Sequence, residues 1–226
     1  LILNIGDMTN QGVELAMNYR GKAGKLNYNL GAVYTKNTNE ITSINGATDL
    51  IYNSNSAIVL GDGTSTVTTI ALGHEVGSYF LFETDGTVKD AEELAVYQAL
   101  DPTARLGDLK YVDLNQDGKI TQEDRQYSGS GLADYEVGLN LSLDYRGFDF
   151  IMQWYASVGH EIMNGSAAYA YSWRRHEALL NMWTPENPTS NLPIHRGTSK
   201  EHANYAGTTD LWIEDGSYLR LRVATF

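Results

Sequence analysis

The sequence predicts an all-β fold: part of an antiparallel transmembrane β-barrel, with long extracellular loops that carry short helices. Three observations predict it. Apolar and polar residues alternate strictly over several runs, as in strands whose two sides face different surroundings. The polar sides are hydrophilic enough to want bulk water or a polar lumen, while aromatics stand at the ends of the apolar sides. Short connections alternate with very long ones, which sends all the long ones to one rim.

The first run sets Val13, Leu15, Met17 and Tyr19 against Glu14, Ala16, Asn18 and Arg20. After a turn at Gly21-Lys22-Ala23-Gly24, Leu26, Tyr28, Leu30, Ala32 and Tyr34 share the next apolar side. Tyr135, Val137, Leu139, Leu141, Leu143 and Tyr145 then alternate with Glu136, Gly138, Asn140, Ser142, Asp144 and Arg146. Gly147 makes a second turn into Phe148, Phe150, Met152, Trp154 and Ala156. A last run sets Leu219, Leu221 and Val223 against Arg220, Arg222 and Ala224. Any single run also fits a soluble sheet with one wet side. The girdle tips the reading: Tyr135 and Tyr145 are ten residues apart, about 33 Å along a strand. A tilt of about 40° reduces that to roughly 25 Å, the height of a barrel's apolar band. Tyr19, Tyr28, Tyr145 and Phe148 all fall beside the short turns. The long connections run from about Ile41 to Asp134 and from about His160 to Gly216. Within them, Asp90 to Leu100 reads as a short helix, with Asp90 as N-cap and Asp101-Pro102 as stop. Trp173 to Met182 reads as another.

Composition removes several classes of function. The net charge of -12 argues against nucleic acid and anionic membrane surfaces. With no Cys there is no thiol chemistry and no disulfide framework. No stretch reaches the roughly 18 apolar residues of a membrane-spanning helix, but a barrel strand needs only about 10 alternating residues. Leu1 and Phe226 both look like cuts in a longer protein, and no signal peptide is visible.

The sharpest local motif is Asp113-Leu114-Asn115-Gln116-Asp117-Gly118-Lys119-Ile120-Thr121-Gln122-Glu123-Asp124. Asp113, Asn115, Asp117, Thr121 and Asp124, with the Lys119 carbonyl, have the spacing of a Ca²⁺ loop. Position 12 is Asp rather than the longer Glu, and no helix precedes the loop. An Asx-rich turn, with carboxylates on backbone amides, explains the same residues. Both readings stand. Histidines 74, 160, 176, 195 and 202 show no metal spacing. Gly129-Ser130-Gly131 lacks the strand-Ser-helix context of a nucleophile elbow, and the adjacent Glu92 and Glu93 face different directions. No catalytic residues emerge, so the expectation is a non-enzyme. Tyr169, Tyr171, Trp173, Arg174 and Trp183, with Arg175 and His176, suit ligand stacking or a protein interface. They also suit simple packing of the loop.

Four motifs in order carry a resemblance: Asn4 to Leu15 (NIGDMTNQGVEL), Gly107 to Gly118 (GDLKYVDLNQDG), Tyr145 to Asp149 (YRGFD) and Trp212 to Leu221 (WIEDGSYLRL). The chain resembles the C-terminal barrel part of SusC/RagA-like TonB-dependent outer-membrane transporters. Ala47 to Thr69 matches that family poorly. The resemblance implies that residues 1–226 are part of one barrel domain, a barrel of about 22 strands with a plugged lumen. Plug and TonB box would lie outside the sequence. It implies TonB-driven import of oligosaccharides or peptides, a SusD-like lipoprotein partner, contact with outer-membrane lipid and extracellular long loops. The alternative is a secreted all-β glycan-binding or adhesin domain with a calcium-loop insertion. An extracellular hydrolase lacks candidate residues.

Overall fold

A computed structural model describes residues 6–46, 48–53, 57–60, 63–196 and 204–226. Asn4, Ile5, Ala47 and His202 lie outside the described residues, as do parts of the poorly matching 47–69 segment. The chain opens with two long strands, β1 (Gly6–Ala23) and β2 (Leu26–Ile44). The first long connection holds β3 (Leu50–Tyr52), β4 (Ala57–Leu60), β5 (Gly63–Thr66), β6 (Thr68–Ala71), β7 (Ser78–Phe82) and β8 (Thr84–Thr87). It continues with α1 (Ala91–Tyr97), β9 (Leu109–Tyr111) and β10 (Arg125–Tyr127). β11 (Tyr135–Tyr145) and β12 (Phe148–Val158) return to the main sheet. The second connection carries β13 (Glu161–Met163), α2 (Gly165–Ser172) and β14 (Ile213–Asp215), and β15 (Tyr218–Thr225) closes the order.

The wall is one five-stranded antiparallel sheet in the order β1-β2-β11-β12-β15. Its register aligns the apolar residues. Leu141 pairs with Leu30 on one side and Met152 on the other, and Leu139 pairs with Ala32 and Trp154. The resulting face is uncovered: Leu15 is 63% and Met17 69% exposed. Of the buried hydrophobic residues described, Ile41 alone belongs to a wall strand. A water-soluble sheet hides such a face. Here the buried residues sit in the loops, around Trp212, Tyr205 and Ala168 in one cluster and Val88, Tyr97 and Ala104 in another. The opposite face stays polar, with Asn27 Nδ2 donating to Asp144 Oδ1 at 2.9 Å.

Aromatics bracket the apolar face. Beside the short turns, Tyr19 lies 5.9 Å from Tyr28 and Phe148 stacks on Phe226 at 6.0 Å between centroids. At the other end Tyr34 stacks on Tyr135 at 5.7 Å.

Both tight turns are built on positive φ, and one stands later than expected. The first is Gly24-Lys25 rather than Gly21 to Gly24. Gly24, at φ +62°, takes the first central position, as in a type II′ hairpin. Gly21 stays in β1 opposite Tyr28, where a Cβ would come within 2.3 Å of that ring. The second turn is Arg146-Gly147, both at positive φ (52° and 86°), as a type I′ turn requires. Arg146 is therefore a turn residue rather than a strand residue.

Three further expectations shift. The register slips between Gln153 and Trp154, so that Trp154 faces Leu221 but Gln153 faces Val223. One extra residue reverses the side every later residue takes. Val223 thus leaves the apolar side of Leu219 and Leu221. α1 ends at Tyr97, three residues early, and its remaining turn bonds as Leu100 N to Tyr97 O. Within Trp173–Met182 the expected helix is only a short 3₁₀ helix, Glu177–Asn181, and the α-helix of this connection precedes it at Gly165–Ser172, with Trp173 as its C-cap and Arg174 at φ +56° stopping it. Asn164 caps its start by accepting from Ala167 N at 2.9 Å.

Candidate functional site

The tight turns leave one edge of the wall, and both long connections leave the other. The loops at that edge are the candidate site, and they lock into each other. Asp108, fully buried, receives Arg196 Nε on Oδ1 at 2.5 Å and Nη2 on Oδ2 at 2.9 Å. Asn204 Nδ2 donates to Asp108 Oδ1 at 3.0 Å, and Asn204 Oδ1 accepts from Leu109 N at 3.0 Å. Nearby, Ile194 N donates to Gly107 O at 2.7 Å. A second link joins Thr84 Oγ1 to Asp210 Oδ1 at 2.6 Å, and burial pushes the Asp210 carboxyl above its ordinary value.

Inside the first loop, Arg125 is almost buried. Its Nε donates to Phe80 O (2.8 Å), its Nη2 to Thr66 O (2.7 Å) and its Nη1 to Gln122 Oε1 (3.1 Å), with the guanidinium 4.2 Å from the Tyr52 ring centre. Burial lowers its pKa. Amide oxygens and two ring faces, Tyr52 and, at 5.9 Å, Phe82, serve here as the partners of a cation, so its role is to tie the β3-β6-β7-β10 sheet together.

The 113–124 loop has its oxygens on amides. Asp113 accepts from Asp117 N (3.2 Å) and Gly118 N (2.8 Å), Asn115 Oδ1 from Asp117 N (2.9 Å), and Asp117 Oδ1 from Lys119 N (2.9 Å). Asp124 is fully buried and accepts from Leu114 N, Asn115 N and Thr121 N at 3.0, 3.4 and 2.7 Å. Burial pushes the Asp124 pKa up, but these amides and the Thr121 hydroxyl outweigh it and hold the carboxyl below its ordinary value. Thr121 caps the 3₁₀ turn Gln122–Asp124, and Asp124 returns the bond in a capping box. The donor set has the chemistry of a Ca²⁺ site, yet Asp124 already spends both oxygens on the protein. Among the described residues no group of three or more His, Asp or Glu side chains is arranged to hold a metal ion.

The aromatic cluster divides. Tyr169 and Trp173 are 40% and 47% exposed, with centroids 6.0 Å apart, and Arg175 lies 5.5 Å over the Trp173 ring. Arg174 Nε donates to His195 Nδ1 at 2.9 Å. Tyr171 turns inward, stacked on His176 at 4.5 Å and edge-on to Trp212 at 5.3 Å. Trp183 is 4% exposed and packs where a Cβ on Gly107 would come within 2.5 Å of its ring. The structure therefore presents Tyr169 and Trp173 to solvent, while Tyr171 and Trp183 pack the loop.

The described histidines have local partners. His74 stacks on Tyr127 at 4.5 Å, His160 lies edge-on to Tyr218, and His176 Nδ1 accepts from Ala178 N. Ser130 is buried, its amide donating to Glu161 Oε2 at 2.8 Å. The Asp108–Arg196–Asn204 group escaped the sequence reading, because its members stand up to 96 residues apart. Its one visible trace was Gly107-Asp108 inside a family-like motif.

No protein-family profile matches the chain. Over 97% of its length it is 29% identical to TonB-dependent receptor P26 of Formosa agariphila. It is 26% identical to TonB-dependent receptor P3 of the same organism over 100% of its length. TonB-dependent receptor SusC of Bacteroides thetaiotaomicron is 26% identical over 70% of the chain. The chain spans 22% of the length of P26 and of P3. In fold it is similar to the RagAB peptide transporter, with a TM-score of 0.70 at 18% identity over 96% of this chain and 22% of that one. The RagAB peptide importer in its open-open state gives 0.69 at 17%. The resemblance to TonB-dependent receptors holds over nearly the whole chain, and these relatives are receptors and transporters rather than enzymes.

Proposed function

We propose that the chain is part of the wall and outer rim of an outer-membrane β-barrel that imports a nutrient under TonB control, with a SusD-like surface lipoprotein at its mouth. The observation that carries this reading is the uncovered apolar face, bracketed by Tyr19, Tyr28 and Phe148 at one end and Tyr34 and Tyr135 at the other. Lipid is the environment that face matches. The rim loops then face outward, because barrels of this class keep their short turns on the periplasmic side. The cargo class is an oligosaccharide or a peptide, and recognition belongs to the loops, since a wall of alternating residues names no ligand. Ca²⁺ at Asp113–Asp124 is a separate proposal, supported by the spacing of the donors.

The test joins location to transport. The native full-length protein should sediment with outer membranes and change its gel mobility on heating, and its deletion should abolish growth on one nutrient class. A protein found soluble outside the cell, with growth unaffected by its deletion, would favour the secreted glycan-binding domain instead.

A further inference from the structure

The two edges of the wall differ in charge. Residues 83–124 of the first loop hold 11 Asp and Glu against four Lys and Arg. At the short-turn edge, Lys25 and Arg146 stand in the turns themselves, and Lys22 pairs with Asn27 beside the first turn. All three are exposed, and none joins an ion pair among the described residues. Arg146 is placed by its neighbour: its guanidinium lies 5.4 Å from the centre of the Tyr145 ring. Tyr145 pairs with Phe148, which stacks on Phe226, so this cation stands at the aromatic end of the uncovered apolar face. The carboxylates of the edge lie on the other side of the sheet. Asp144 and Asp149 face each other there, and Asn27 Nδ2 donates to Asp144 Oδ1.

We propose that the short-turn edge docks the headgroups of anionic phospholipids, an inference that rests on the lipid-facing reading of the apolar face. A cation at the end of such a face is held where hydrocarbon gives way to headgroups, with its stem along the rings and its charge in the polar layer. The Arg146 guanidinium presents a planar fork of N–H donors that matches two phosphate oxygens at once, while Lys22 and Lys25 act as point charges. Each basic residue beside a membrane gains roughly a fivefold preference for an anionic surface. The chain's net charge of -12 argues against such a surface as a whole, but that charge is concentrated in the loops, away from this edge. The acidic first loop repels the same phosphates, so the preference belongs to one edge of the wall.

The test uses the native full-length protein, reconstituted in vesicles that mix phosphatidylcholine with phosphatidylglycerol. Spin-labelled lipids of each kind report how much of each is held against the protein. The expected result is a roughly two- to fivefold preference for phosphatidylglycerol. It should fall in Lys25→Gln and in Arg146→Asn, and vanish when the two are combined. Asn suits the left-handed backbone at position 146, φ +52°. Arg146→Lys keeps the charge and should keep most of the preference. Lys119→Gln removes the same charge from the first loop and should leave the preference unchanged. Equal retention of the two lipids by the unaltered protein, or an equal fall for Lys119→Gln, overturns the inference and leaves the lipid-facing wall standing. A protein that fails to float with the vesicles defeats the lipid-facing reading itself, and this inference with it.

Discussion

Asp108 and Arg196, 88 residues apart, meet side by side through two hydrogen bonds, and the carboxylate is fully buried. This pair joins the two rim loops to each other. Removing one member of a buried pair costs about 3–5 kcal/mol, because the other charge stays behind without water. Arg105 N and Asn204 Nδ2 also donate to Asp108, which places the loss for Arg196→Ala at the lower end of that range. Hydrogen exchange on the full-length protein should show faster opening of 104–110 and 190–196, with the wall unchanged. Exchange equal to that of the unaltered protein would show that the loops hold each other without the pair.

The two faces of β11 predict opposite tolerances. Leu141 sits mid-band between Leu30 and Met152, and an arginine there costs about 2–4 kcal/mol in lipid. Ser142 faces the polar side, between Asn29 and Ile151. Leu141→Arg should therefore reduce the heat-modifiable, folded fraction in outer membranes, and Ser142→Arg should leave it intact. Equal folding of both variants would contradict a lipid-facing Leu141.

The wall was legible in the sequence because a strand with two environments writes its period of two directly into residue order. Gly147 and the aromatic ends were legible for the same local reason. The bulge that turns Val223 was not, since one extra residue leaves apolar and polar residues still alternating. Gly165–Ser172 was missed because GSAAYAYS holds no polar face to mark a helix, whereas Trp173–Met182 mixes charge and Leu. Among the candidate residues, spacing gathered Tyr169 through Trp183 into one cluster. The stop at Arg174 and the packing against Gly107 separate them, and neither leaves a trace in spacing.

Asp124 predicts how acid and calcium act on the first loop. Its folded pKa lies below the ordinary carboxylate value, so its contribution is complete above that value. The contribution is lost as pH falls through the folded pKa. Protease cleavage within 113–124 should accelerate in acid below about pH 4, and Asp124→Ala should be cleaved rapidly at neutral pH. Calcium at millimolar level should slow cleavage at neutral pH if Asp113, Asn115, Asp117, Thr121 and Asp124 hold the ion. Cleavage indifferent to both calcium and a chelator would leave the amide-bonded turn as the whole account of these residues.

Trp173 and Trp183 should part company on substitution. Trp183 is 4% exposed and packs against Gly107, so Trp183→Ala opens a cavity, which for a buried aromatic costs about 3–5 kcal/mol. It should loosen the second loop, seen as faster exchange around 183–194, and lower uptake through that loosening. Trp173 is 47% exposed, with Tyr169 beside it and Arg175 over its ring. Trp173→Ala removes little packing, so loop exchange should stay near that of the unaltered protein. An exposed aromatic with a cation above it has the make-up of an interface anchor. Recovery of the proposed lipoprotein partner in a pull-down, or uptake at limiting nutrient, should therefore fall about tenfold for Trp173→Ala, the effect of losing roughly 1.4 kcal/mol. If both measurements stay normal while barrel and loop are intact, Trp173 has no share in recognition, and the contact must be sought elsewhere on the rim.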